Sequence, residues 1–289
     1  MKVCIDAGHY GKYNRCPGIP EYFESEIMWK LSNLQKAHLE KLGVEVVLTR
    51  SNPNKDLALQ ARGKKAAGSD LFISNHSNAT GSGMNESIDY VAVYHLTDDK
   101  TTKADDISAD FAQGIAPVIA SVMGTKQGYK VLTRRSGNDR NNDGVLNDNY
   151  YGVLHGARLV NVPGLILEHS FHTNSRSVKW LLNEKNLDTL AKAEAAYIAS
   201  YLKSKEGNTS GSAPVAPVAP VKPSGASDLP YLVKITASAL NVRAGAGIGH
   251  KINTVVKRGE VFTIVSVSGD WGKLKSGAGW INLKYTKRV

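Results

Sequence analysis

Hydrophobic positions follow two periods in the first 205 residues. Short apolar or β-branched runs at 3–7, 44–49, 71–75, 88–94 and 165–168 have the length and composition of buried strands. Between them the period lengthens. Ile27, Met28, Leu31, Leu34, Leu39 and Leu42 form one helical stripe that Gly43 stops. Residues 105–123 and 186–203 read as further helices, the latter with Leu187, Leu190, Ala191, Tyr197, Ile198 and Tyr201 on one face. Short strands alternating with helices predict an α/β fold, a mostly parallel twisted sheet flanked by helices. From residue 229 the helical period vanishes. Six short β runs punctuated by glycine predict a small all-β barrel over 229–289.

The stretch 206–228 separates these regions. It contains three Ala-Pro-Val units, and Pro214, Pro217, Pro220 and Pro223 stand three apart, which favours polyproline II over helix or sheet. It reads as a semi-rigid tether between domains at 1–205 and 229–289, in preference to a docking ligand for another protein.

Charge sharpens the division. The chain has 289 residues and a formal net charge of +10. Residues 1–205 carry 25 basic and 22 acidic side chains, whereas 229–289 carry 10 and 2. The excess belongs to the tail and points to an anionic polymer. Nucleic acid is disfavoured because no recognition helix or aromatic-basic signature accompanies the charge. No run approaches the ~18 apolar residues of a membrane span, and the N-terminus lacks a secretory h-region of about 7–15 apolar residues. The expectation is a protein without a signal peptide or membrane association, cytoplasmic until released. Cys4 and Cys16 lack C-x-x-C spacing and read as free thiols, fitting a reducing setting.

Candidate chemistry lies where strands end, the edge at which open α/β sheets bind ligands. The first strand leads to His9, the helix after it begins near Glu24, the third strand leads to His76, and the last ends at Glu168. Imidazole and carboxylate suit catalytic zinc, which takes three protein ligands and keeps a position for water. His9, Glu24 and His76 would be the ligands, and Glu168 the general base that passes a proton to a leaving amine. Glu26 competes with Glu24 for the second ligand.

Four segments occur in the order and spacing of a known family: Asp6-Ala7-Gly8-His9, Glu24 leading to Leu48-Thr49-Arg50, Ser74-Asn75-His76-Ser77-Asn78-Ala79, and Pro163-Gly164 through Glu168 to Asn174. Over about 1–204 the chain resembles the zinc-dependent N-acetylmuramoyl-L-alanine amidases, which cut the bond between N-acetylmuramic acid and L-alanine in peptidoglycan. The resemblance implies Zn2+ on His9, Glu24 and His76, with Glu168 catalytic. Two departures, Tyr10 for a glycine and Asn75 for an apolar residue, bear on substrate fit rather than on the ligands. Over about 231–286, Leu240-Asn241-Val242-Arg243, Gly269-Asp270-Trp271-Gly272 and Gly279-Trp280-Ile281 resemble a bacterial SH3 domain, which implies binding to the cell wall. Together they imply a wall-directed hydrolase, resembling a phage endolysin more than an autolysin or a spore mother-cell lytic enzyme. Two alternatives stand beside it: a zinc peptidase or deacetylase, and a non-catalytic wall-binding protein.

Other signals receive quieter readings. One of His169 and His172 orients Glu168 or lines the groove and the other is structural; His38 sits at the edge of the core. The segment from Asp139 to Gly144 copies half a calcium loop, but its twelfth position is Tyr150 rather than an acid, so it reads as a polar turn. With Tyr151 this stretch is a candidate groove wall. Gly245, Gly247 and Gly249 read as hairpin glycines rather than a phosphate loop.

Overall fold

A computed structural model describes residues 1–81, 83–97, 102–140, 148–206, 230–247, 250–268 and 271–288. The chain divides into two compact units, Met1–Gly211 and Ser212–Val289.

The first unit runs β1 (Lys2–Ala7), α1 (Glu24–Lys41), β2 (Glu45–Leu48), α2 (Leu59–Lys64), β3 (Leu71–Asn78), β4 (Val91–His95), α3 (Lys103–Met123), β5 (Tyr129–Leu132), α4 (Gly152–Leu159), β6 (Gly164–Phe171), α5 (Ser175–Leu182) and α6 (Glu184–Glu206). Its sheet has the order β2-β1-β3-β6-β4-β5. The first four strands are parallel, and β4 enters antiparallel to β6. The mostly parallel α/β reading therefore holds, with a reversed pair at one edge. Two strands outrun the sequence expectation: β3 continues through His76 to Asn78, and β6 through Glu168 to Phe171.

Alternation along these strands divides the sheet into two faces. On one, Cys4, Phe72 and Ile166 pack beneath α2 and α4 with Ala66, Leu154 and Ala157. Those two helices cross at backbone contact: a Cβ on Gly156 would lie 2.2 Å from the carbonyl oxygen of Gln60. The other face lies against α1, α3 and α6, with Ile5, Ile73, Leu165 and Leu167 fully buried. Both cysteines are free and buried. The Cys4 thiol is pushed up to about 12 by burial, then by the charge of Asp6.

Because β1 is flanked by β2 and β3, the chain leaves it towards one neighbour and later returns to the other. That reversal opens a crevice at the carboxyl ends of β1 and β3.

The second unit contains β7 (Tyr231–Ile235), β8 (Ala239–Arg243), β9 (Ile252–Lys257), β10 (Val261–Ser268), β11 (Trp271–Leu274), β12 (Trp280–Asn282) and β13 (Thr286–Arg288). Its pairings are antiparallel, in the order β13-β7-β10-β11-β12-β8-β9. Val233, Ile235, Val242, Ile264, Leu274 and Ile281 fill the interior. Gly245 and Gly247 fall between the paired strands β8 and β9, so they serve a hairpin. Trp271 and Trp280 are half-buried and Tyr285 is exposed. The proline tether read at 206–228 lies, beyond Glu206, outside the described residues.

Candidate metal centre

The centre is assembled at the β1/β3 crevice. Just beyond β1, His9 has a left-handed φ of 57°. Such a conformation is costly for a residue with a Cβ and needs support. Arg62 of α2 supplies it, donating to the carbonyls of Ala7 and His9. Gly8 sits beneath the His76 ring, where a Cβ would approach the ring carbon Cε1 to 2.5 Å. Only glycine lets the two histidines close on the same point.

Glu24 opens α1. The backbone N–H groups of Glu24 and Ser25 donate to the carbonyls of Asn14 and Tyr13, so the preceding loop satisfies the helix start. Asn14, itself at φ 54°, thereby brings its amide to Glu24 Oε2 at 2.6 Å and to His9 Nε2 at 3.0 Å. The Ser77 N–H holds Glu24 Oε1 at 3.0 Å.

His9 Nε2 lies 3.3 Å from Glu24 Oε2, and His76 Nδ1 lies 2.9 Å from Glu24 Oε1. Ligand atoms of His9, Glu24 and His76 all lie within 4.8 Å of one another. Ligands at about 2.0–2.1 Å from a tetrahedral zinc stand about 3.3 Å apart, so this donor set fits the ion in chemistry and spacing. Glu26, two residues on, is outside the group. Burial works to raise the Glu24 pKa, but hydrogen bonds and charge from His76 and His9 outweigh it and hold the carboxyl well below its ordinary range.

Glu168 pairs with His76 across β3 and β6 and so shares its face of the sheet. It is 9% exposed, and its Oε2 has no hydrogen-bond partner among the described residues. Burial, then the charge of Glu24, pushes its pKa up to about 8. A buried carboxylate oxygen without a donor is costly, and such costs concentrate where chemistry is done.

The flanking histidines separate. His169 turns to the opposite face, its Nε2 2.8 Å from Glu194 of α6 and its Nδ1 3.0 Å from the His76 carbonyl. Glu194 also accepts from Gln35, which with Ser32 holds the amide of Asn75. Asn75 is thus fully buried in a polar network behind the sheet, away from the crevice, where the expectation had it bear on substrate fit. A residue beside a ligand in a strand points away from it. His172 stays near the centre, its Nδ1 2.8 Å from the Ser77 carbonyl and 3.7 Å from Glu24 Oε2. His38 is half-buried and meets Asp188 at 2.8 Å, a core-edge position.

Aromatic rings surround the crevice. Tyr13 stacks on His9 with centroids 4.9 Å apart. Across the sheet, Tyr151 packs against Tyr94, which lies one diagonal step from Glu168 in the ladder, and Arg134 stands 3.6 Å over the exposed Tyr150 ring. Most of the segment read as half a calcium loop lies outside the described residues. The sequence reading missed Asn14, Arg62 and Glu194. Asn14 and Glu194 belong to no apolar pattern, and Arg62 lies in a short helix that the reading also missed.

Comparison with known proteins accords with this geometry. A family model described as N-acetylmuramoyl-L-alanine amidase matches residues 3–200, and one described as bacterial SH3 domain matches 238–287. The N-acetylmuramoyl-L-alanine amidase from Clostridium difficile 630 is 23% identical over 71% of this chain and 97% of its own, with a TM-score of 0.55. The catalytic domain of CwlV, the amidase from Bacillus (Paenibacillus) polymyxa var. colistinus, is 22% identical over 70% and 98%, at 0.53. Cwp6 from Clostridium difficile is 23% identical over 70% of this chain, at 0.55, but the match spans only 29% of Cwp6. At such identities the likeness speaks for the fold. No curated protein matches by sequence.

Proposed function

This chain belongs to the N-acetylmuramoyl-L-alanine amidase family, and from that premise we propose that His9, Glu24 and His76 hold a zinc ion beside which Glu168 moves the protons of amide hydrolysis. The enzyme is a peptidoglycan hydrolase, and its bond is that between N-acetylmuramic acid and L-alanine. Zinc bound there supplies Lewis acidity, polarising a carbonyl and lowering the pKa of a water to about 7. The remaining work falls to the chain. Asn14 and the Ser77 N–H fix the Glu24 carboxylate, and Arg62 fixes the strained turn that aims His9. Glu168 accepts a proton from the attacking water at its carboxylate and returns it to the nitrogen of the leaving L-alanine. A carboxyl raised towards neutrality suits both transfers.

The observation that carries this reading is the buried Oε2 of Glu168, without a hydrogen-bond partner among the described residues, on the face of the three proposed ligands. Mass spectrometry of digested peptidoglycan tests it. New L-alanine amino groups without new reducing ends are expected, abolished by a chelator and by Glu168→Ala. Cleavage within the stem peptide or loss of acetyl groups would instead favour the peptidase or deacetylase. Undiminished lysis by both the variant and the chelated enzyme would sink the zinc mechanism.

The SH3 unit, with its excess of basic residues and its partly exposed aromatic rings, is proposed to hold the enzyme on the anionic wall. A hydrolase with such a module suits a lytic enzyme of the endolysin kind. Clearing of intact cells by the purified full chain, set against its action on isolated walls, checks that role.

A further inference from the structure

The crevice has two unlike ends. On the β1 side, the loop leading into α1 carries Tyr10 and Tyr13, both exposed, in a stack that ends on His9. Tyr10 lies on Tyr13 with ring centroids 6.1 Å apart, and Tyr13 on His9 at 4.9 Å with the planes 13° apart. Backbone ties hold this stack in place. Ser25 Oγ donates to the Gly11 carbonyl and accepts from the Tyr13 N–H, and the Gly11 N–H donates to the carbonyl of Pro53, beyond β2. The loop's cations, Lys12 and Arg15, lie over Phe23, leaving Tyr10 and Tyr13 as a flat, uncharged platform. At the other end, past β6 and β4, stands a cation. Arg134 follows β5 and is exposed, its guanidinium 3.6 Å from the Tyr150 ring centroid and 5.9 Å from that of Tyr151. The Tyr150 N–H donates to the Arg134 carbonyl, which fixes the pair. No carboxylate acts on Arg134 among the described residues. Tyr151 packs on Tyr94, so aromatic rings line the way from Arg134 to the strand beside Glu168.

The place of the proton donor decides which end takes which half of the substrate. The strand order β1-β3-β6-β4-β5 puts Glu168 between the three ligands and Arg134. The leaving nitrogen takes its proton from Glu168, so the peptide departs over β6 and β4, and the acyl half with its sugar extends back over β1. Each end has the chemistry that its half needs. A pyranose offers an apolar C–H face that lies flat on an aromatic ring, and the acidic residue after L-alanine in peptidoglycan stems offers a carboxylate to a guanidinium fork. We propose that the crevice is a directional groove, in which Tyr10 and Tyr13 seat the glycan and Arg134 holds the acidic stem peptide. All three are specificity-determining residues. The proposal rests on the amidase reading for the direction of proton transfer, but binding alone can test it.

Calorimetric titration of the full chain carrying Glu168→Ala, which removes turnover, provides the test. The ligands are a disaccharide-linked muramoyl-L-alanyl-D-glutamate, the same compound with its carboxyl groups amidated, and a lactoyl-L-alanyl-D-glutamate without sugar. Adding Arg134→Gln should raise Kd for the acidic glycopeptide about 10-fold and for its amide less than about 2-fold. Adding Tyr10→Ala should weaken both sugar-bearing ligands about 3–10-fold and leave the sugar-free one unchanged. Tyr10→Phe, which keeps the ring, should bind like the parent. The SH3 unit is the same in every protein compared, so the differences report the crevice. Equal losses for acid and amide in Arg134→Gln, equal losses with and without sugar in Tyr10→Ala, no loss in either, or an exchange of roles would each overturn the directional groove. A wild-type chain whose variants bind in the expected pattern, but which frees no L-alanine amine from the glycopeptide, would uphold the groove and sink the amidase reading instead.

Discussion

Asn75 and His76 are neighbours in one strand and live in different chemical worlds. His76 faces a crevice with a strained turn, two more candidate metal ligands and a carboxylate oxygen that has no partner among the described residues. Asn75 faces a closed network in which Ser32, Gln35, Glu194 and His169 satisfy one another. Both faces are polar and buried, so burial and polarity alone do not mark a working site. The difference is completeness: the network behind the sheet has spent its donors and acceptors, while the face in front holds some in reserve.

That contrast can be broken from either side. The largest effect is expected in front: Glu168→Ala should lower kcat for amide release by about 10²–10⁴-fold while leaving the melting temperature nearly unchanged. Behind the sheet the pattern should invert. Glu194→Ala removes one member of a fully buried pair, for which a loss of about 3–5 kcal/mol is expected, read as a melting temperature lower by about 10 °C. Activity per folded molecule should survive it; a variant that stays stable but loses turnover would erase the distinction. A smaller effect belongs to Asn14→Ala, which removes the amide from Glu24 Oε2 and should weaken zinc binding by about 10-fold, at a stability cost of about 1 kcal/mol for alanine in a left-handed turn, as chelator competition and melting would show. The smallest extends the contrast to the second unit. Deleting 206–289 should leave cleavage of soluble muropeptides intact and weaken lysis of whole walls by a few-fold at low salt, an advantage that added salt removes. Equal wall binding by the truncated and full-length proteins would refute that division of labour.

Much of this arrangement was legible in the chain, and the limits were physical. Periodicity found the strands of the parallel half, because buried parallel strands are unbroken apolar runs, and it found the long helices by their stripes. The reversed edge was only half visible, since β5 (Tyr129–Leu132) is short and half exposed. The candidate ligands stood out because His9 follows the end of β1, Glu24 opens α1 and His76 lies near the carboxyl end of β3. Residues that support them were not. Arg62, Asn14 and Glu194 act across 5 to 159 residues of sequence, through hydrogen bonds that leave no periodic trace. Asn75 was misjudged for a related reason: motif spacing records neighbours along the chain, whereas a strand sends neighbours to opposite sides.

The two buried cysteines bear on where such an enzyme can operate. A thiol reacts as its thiolate, and Cys4, pushed up to about 12 by burial, forms almost none near neutral pH. Cys16, 1% exposed, has its sulfur against that of Met84 at 3.7 Å, and neither cysteine is cross-linked. Oxidants and alkylating agents therefore meet no ready thiol in the folded chain, and reductants find no bridge to cut. The cysteines that first read as the mark of a reducing compartment amount instead to indifference: the fold can be made on one side of a membrane and used on the other without its sulfur chemistry changing.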